Sequence, residues 1–163
     1  MPVIQLQTRI NAPVEECFNL ARNIDLHLQS MQQHKERAVA GVTSGLVCLN
    51  DTVTWKARHF GLPFTMSVRI TEMQPPHYFV DQMISGPFQW FRHYHSFQCE
   101  GNHTLMTDEF VFRSPLGLLG KMVDKWVLSA YLKSLLIQRN TCIKQTAEGK
   151  LELQHKTGMH LHS

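Results

Sequence analysis

The chain has 163 residues, 43% of them hydrophobic and 18% charged, with a formal charge of +3. That length suits one domain able to bury a core or enclose a hollow, and the composition excludes a disordered chain. Lys and Arg are scattered from Arg9 to Lys156 without a dense run, which argues against a nucleic-acid footprint.

Residues 3–10 alternate, Ile4, Leu6, Thr8 and Ile10 against Val3, Gln5, Gln7 and Arg9, as a half-buried strand does. Pro13 then opens a helix over 12–21, with Glu15 and Glu16 at its positive end and Val14, Phe18 and Ala21 on one side. Asn23 suits the cap of a second short helix ending near Met31. From His34 the pattern predicts strands at 35–41, 46–59, 63–73, 77–85, 88–99 and 103–113, separated by turn residues such as Gly61, Pro75, Pro76, Gly86 and Gly101. Such short connections imply a meander of antiparallel hairpins.

Ser114 and Pro115 open a last helix reaching about residue 146. Lys125, Ser129, Lys133, Asn140 and Lys144 are expected on its polar stripe. Leu119, Val123, Trp126, Val127, Ala130, Tyr131, Leu135 and Ile137 are expected on its apolar face. The domain is therefore set at 1–148, with 149–163, including His160 and His162, as a flexible tail.

The cysteines Cys17, Cys48, Cys99 and Cys142 form no CxxC pair, and the start of the chain lacks a signal-peptide pattern. Reduced, buried thiols in a cytoplasmic protein are expected. The longest apolar run, 126–137, is too short to span a bilayer, so no stable membrane insertion is expected.

The strands agree on one inner face. Side chains alternate along a strand, which groups Phe91, His93, His95 and Phe97 on one strand and Met106, Asp108, Phe110 and Phe112 on the next. Phe64, Met66, Val68 and Ile70, then Val53, Trp55 and Ala57, and then Phe79, Asp81 and Met83 join them, with His59 at the rim. A greasy surface with a few placed polar groups describes a small-molecule pocket. The polar groups His93, His95, Asp81 and Asp108 can serve a ligand or only pair among themselves, because buried charges need partners.

The order strand, two short helices, six strands, long helix matches the helix-grip fold. The sequence also resembles the START-like (SRPBCC) superfamily of polyketide cyclases, ligand-binding pollen allergens and lipid-transfer domains. The resemblance covers roughly residues 2–147. It rests on Ile10-x-Ala12-Pro13-x-Glu15-x-x-Phe18, Asp51-x-Val53-x-Trp55, Pro75-Pro76 and Gly86-Pro87-Phe88 with His93-x-His95-x-Phe97. Gly101-x-x-Thr104-x-Met106-x-Asp108 and Pro115-x-Gly117 complete it. It is similar especially to bacterial ligand-binding members that keep both histidines. The resemblance implies an α+β protein whose seven-stranded curved antiparallel sheet wraps a long C-terminal helix, with two short helices after the first strand.

The expected function is binding or transport of a lipid, quinone, isoprenoid or polyketide-like molecule between sheet and C-terminal helix. The expected lining is Trp55, Met66, Val68, Asp81, Met83, Phe91, His93, His95, Phe97, Met106, Asp108, Phe110, Val123 and Val127. The alternative is a cyclase or dehydratase in which His93 or His95 with Asp81 or Asp108 forms an acid/base pair. His-x-His with a nearby Asp has the ligand types for zinc or iron, but such spacing also arises by chance, and neither a metal nor a cofactor is assigned.

Overall fold

Alternation along β1 (Val3–Ile10) buries Ile4 and Ile10 and exposes Val3, Gln5, Gln7 and Arg9. The structure, a computed structural model, describes residues 1–114 and 125–153. After β1 come α1 (Val14–Ala21) and α2 (Ile24–Ser30), then β2 (Arg37–Gly41), β3 (Thr52–His59) and β4 (Leu62–Gln74). β5 (Tyr78–Ser85), β6 (Trp90–Glu100) and β7 (His103–Arg113) complete the strands, and α3 is described over Lys125–Ala147. The strands form one seven-stranded sheet in the order β1-β7-β6-β5-β4-β3-β2, every neighbouring pair antiparallel. A curved sheet gripping a long helix, with two short helices after the first strand, is the helix-grip architecture expected.

Local chemistry explains most boundaries. The Asn23 side chain accepts from the Leu26 N–H at 3.1 Å and so caps α2. Within 46–59 the strand begins only at Thr52, a correction to the expected start. Leu46 makes an isolated bridge to Asn23, and the Asp51 carboxylate accepts from the Cys48 N–H at 2.7 Å. Asn50 then turns left-handed at φ 70°, and that side-chain-driven turn takes the place of strand pairing.

The inner face meets the helices in a continuous core. Phe18 of α1 lies edge-on to Phe79 (5.7 Å) and Phe97 (5.5 Å) and is 1% exposed. Replacing Phe18 with alanine is expected to cost about 3–5 kcal/mol in urea unfolding, the range for a buried aromatic truncated to a cavity. A loss below about 1 kcal/mol would mean that α1 does not close this end of the sheet.

Two expectations about packing change. Where a hollow was expected along the C-terminal helix, Cys142 and Ile143 of α3 instead pack in one buried cluster with Phe18, Phe97 and Met106. The cysteines divide as well, with Cys17 and Cys142 buried but Cys48 and Cys99 exposed, all four as free thiols. Cys48 and Cys99 lie at a turn and at a strand end, outside the core, with Arg22 Nη1 3.9 Å from the Cys48 sulfur. Among the described residues, no helix is long and apolar enough to cross a membrane.

Candidate functional site

Strand register builds the site. Asp81 stands opposite His93 across β5–β6, and Asp108 stands opposite His95 across β6–β7. All four side chains fall on the concave face. Each of the tightest contacts is diagonal to that register: His93 Nε2 lies 2.8 Å from Asp108 Oδ1, and His95 Nε2 lies 2.8 Å from Asp81 Oδ1. The two imidazoles overlap at 3.7 Å between centroids, and Phe79 stacks on His95 at 4.1 Å.

The C-terminal helix completes the cluster with two residues that the sequence reading missed. Asn140 Nδ2 donates to Asp108 Oδ2 at 2.6 Å, and Arg139 Nη1 lies 3.5 Å from Asp108 Oδ1. Arg139 also donates to the Ala21 carbonyl (3.0 Å) and to Asn140 Oδ1 (3.1 Å). Asn140 was expected on the polar stripe and is instead 3% exposed. Trp126, Val127 and Ile137 were expected on the apolar face and are 73%, 57% and 48% exposed. Polar and apolar residues are mixed around this helix, so its own periodicity does not fix its rotation. The buried carboxylate of Asp108 decides the rotation, because it needs donors. A search for partners for Asp108 among the polar residues of the last helix is the one sequence signal that leads to Arg139 and Asn140.

The other expected lining residues separate into groups. Trp55, Val68, Phe91, Phe97, Met106 and Phe110 are buried, while Met66 and Met83 face inward and are half-buried. Val127 does not join them, and Val123 lies outside the described residues. At the rim, His59 Nδ1 lies 2.6 Å from the Tyr131 hydroxyl, tying β3 to α3. Burial lowers His59 and raises Tyr131 from their ordinary pKa values.

Electrostatics separate the members of the cluster. Burial, then repulsion from His95, pushes His93 down to about 4 against the pull of both carboxylates. Burial raises Asp81, but the His95 hydrogen bond and the neighbouring positive groups outweigh it and hold Asp81 at about 2. Asp108 is held well below the usual carboxylate range in the same way, by His93, His95 and Arg139. At neutral pH the His93–Asp108 contact is therefore an N–H donated by a neutral ring to a carboxylate. It is not an ion pair, despite the short distance. Every buried side-chain nitrogen and oxygen among the described residues has a partner.

Asp108 is wholly buried and Asp81 is the accessible carboxylate, its side chain 22% exposed. Asp81, His93 and His95 carry three donor atoms within 4.8 Å of one another, the residue types that hold divalent transition metals.

Comparisons with solved structures agree with this architecture. TTHA0849 from Thermus thermophilus is 16% identical and superposes with a TM-score of 0.69, covering 87% of this chain and 97% of that one. A START superfamily protein from Mycobacterium smegmatis is 12% identical over 91% of this chain and 99% of that one, with a TM-score of 0.66. The di-domain ARO/CYC StfQ of the steffimycin biosynthetic pathway is 12% identical over 91% of this chain and 51% of its own, with a TM-score of 0.67. At such identities the likeness establishes the fold alone. No protein-family model matches the sequence, and no curated protein matches it.

Proposed function

We propose that the protein binds and carries a hydrophobic small molecule of lipid, quinone, isoprenoid or polyketide-like class against the concave face of its sheet. One observation carries this reading. A fully paired polar cluster is set in a mostly buried aromatic wall, beside a smaller set of apolar side chains that remain partly accessible. Met66, Met83 and Phe88 on the sheet side and Leu128, Leu132 and Leu136 on α3 are half-buried and pack against the core. Their apolar surface suits a flexible guest, methionine being an adaptable lining. Asp81 supplies a hydrogen-bond acceptor at the polar end for a hydroxyl group of that guest.

The test uses protein stripped of bound lipid and titrated with the apolar fluorophore N-phenyl-1-naphthylamine. Saturable binding at one site per chain is expected. Met83→Trp should weaken it by filling the space, while Ile84→Ala on the opposite, exposed face of β5 should leave it unchanged. Absence of saturable binding, or equal binding by Met83→Trp, overturns the proposal.

The 2.8 Å His–Asp pairs favour a second reading, proton transfer at a carbon alpha to a carbonyl. His93, held near 4, is a weak base at neutral pH, so the pair that would act is His95 with the accessible Asp81. Catalysed deuterium exchange into a 1,3-dicarbonyl probe, lost in His95→Ala with fluorophore affinity unchanged, would establish that reading. Exchange no faster than in buffer removes it.

A further inference from the structure

Both histidines turn one ring nitrogen toward Asp108 and the other toward Asp81. His93 Nε2 and His95 Nδ1 lie 2.8 and 3.3 Å from Asp108 Oδ1, while His93 Nδ1 and His95 Nε2 lie 3.8 and 2.8 Å from Asp81 Oδ1. A neutral imidazole has one N–H. Asp108 takes that N–H from His93, whereas Arg139 Nη2, which can only donate, lies 3.4 Å from His95 Nδ1 and leaves the His95 N–H on Nε2, toward Asp81. A cation bound at His95 Nε2 takes the place of that proton, which moves to Nδ1 facing Asp108, and a lone pair of each ring and an Asp81 oxygen then face the ion. The charge count agrees: the cluster holds the carboxylates of Asp81 and Asp108 and, among the described residues, the single guanidinium of Arg139, which lies against Asp108.

We propose that Asp81, His93 and His95 form a divalent transition-metal site, with the Asp81 carboxylate, His93 Nδ1 and His95 Nε2 as ligands and Asp108 as the group that orients both rings. The three donors lie within 4.8 Å of one another, and metal–ligand bonds of about 2.0–2.2 Å require donors roughly 3 Å apart, so small side-chain rotations close the site. Histidine ligands commonly donate their second N–H to a carboxylate, which fixes the tautomer and the ring orientation. Asp108 does this for His93 at 2.8 Å, stands 3.3 Å from His95 Nδ1 where it can do the same once the ion is bound, and is itself held by Asn140 and Arg139. Two imidazoles and one carboxylate leave coordination positions open, a donor set suited to zinc or ferrous iron. The accessible edge of Asp81 is the side from which the ion arrives. The assignment does not depend on an apolar guest, since its test reads the metal itself.

The full chain, freed of metal by chelator dialysis, is titrated with Co2+ and followed by visible absorption, with Zn2+ competing and bound metal counted by elemental analysis. One ion per chain is expected, with a ligand-field spectrum displaced by Zn2+. Asp108→Asn should weaken binding by about 10–100-fold and shift the spectrum, and Asp81→Asn, which keeps the side-chain shape, should weaken it further. The His160→Ala/His162→Ala variant controls for the tail and should bind as the parent does. Circular dichroism of each variant separates lost ligands from lost fold. If no stoichiometric Co2+ binds, or if binding disappears with the tail histidines and persists in folded Asp81→Asn, the site does not exist. A proton shared between His95 and Asp81 then takes the cation's place.

Discussion

Asp108→Ala is expected to lower stability by about 3–5 kcal/mol, the range for removing one partner of a buried charge pair. Arg139 is 6% exposed, and Asp108 is the carboxylate beside it, at 3.5 Å. Without it the guanidinium keeps three neutral acceptors, the Ala21 carbonyl, Asn140 Oδ1 and His95 Nδ1, but no counter-charge, while His93 Nε2 and Asn140 Nδ2 lose their closest acceptor. Leaving such groups unpaired costs more than their hydrogen bonds contribute when made. Urea unfolding of metal-free protein measures the loss. Asp108→Asn retains one acceptor and should lose less. Combining Asp108→Ala with Arg139→Met should recover part of the loss, because the uncompensated charge is gone. A change below about 1 kcal/mol in Asp108→Ala would show that α3 does not deliver Arg139 to the sheet as described.

Stability of the metal-free protein should begin to fall near pH 6.5, well above the carboxylate range. The folded-state pKa of His93 is lowered from 6.5 to about 4. Above pH 6.5 neither state binds this proton and the full stability is present. Between 6.5 and 4 the unfolded chain takes up a proton that the folded protein refuses, so stability drops by up to ~1.4 kcal/mol per pH unit. His59, also lowered by burial, acts in the same direction. Asp81 and Asp108 have folded pKa values depressed from 3.8, Asp81 to about 2 and Asp108 well below the usual carboxylate range, so their contribution is present above 3.8 and is lost as pH falls through those folded values. Unfolding free energies in chelator between pH 7.5 and 4.5 test the upper limb. NMR titration of the His93 ring should show it neutral at pH 5. A flat profile between pH 7 and 5, with His93 titrating near 6.5, would mean that water reaches the cluster.

How legible each part was depends on how locally it is specified. β7 matches the expected 103–113, because its alternation runs unbroken from a Gly-Asn turn to a Ser-Pro stop. The inward direction of His93, His95 and Asp108 followed from the same period of two. The 46–59 segment was harder, since Asp51 bends the chain through a side-chain hydrogen bond that competes with the strand. Arg139 and Asn140 were the hardest, standing in the polar run 138–141, in which nothing local says which side chains turn inward.

By itself the sequence determined the element order, the antiparallel meander and the concave face that two histidines and two aspartates share, because strand alternation and turn chemistry act over a few residues. Only the tertiary structure decided how α3 is rotated, which carboxylate is sealed and which is reached by solvent, and which nitrogen faces which oxygen. Those choices depend on the cost of burying charge without a partner. That cost is set between Asp108 on a strand and Arg139 and Asn140 on a helix, and no local pattern in the chain records it.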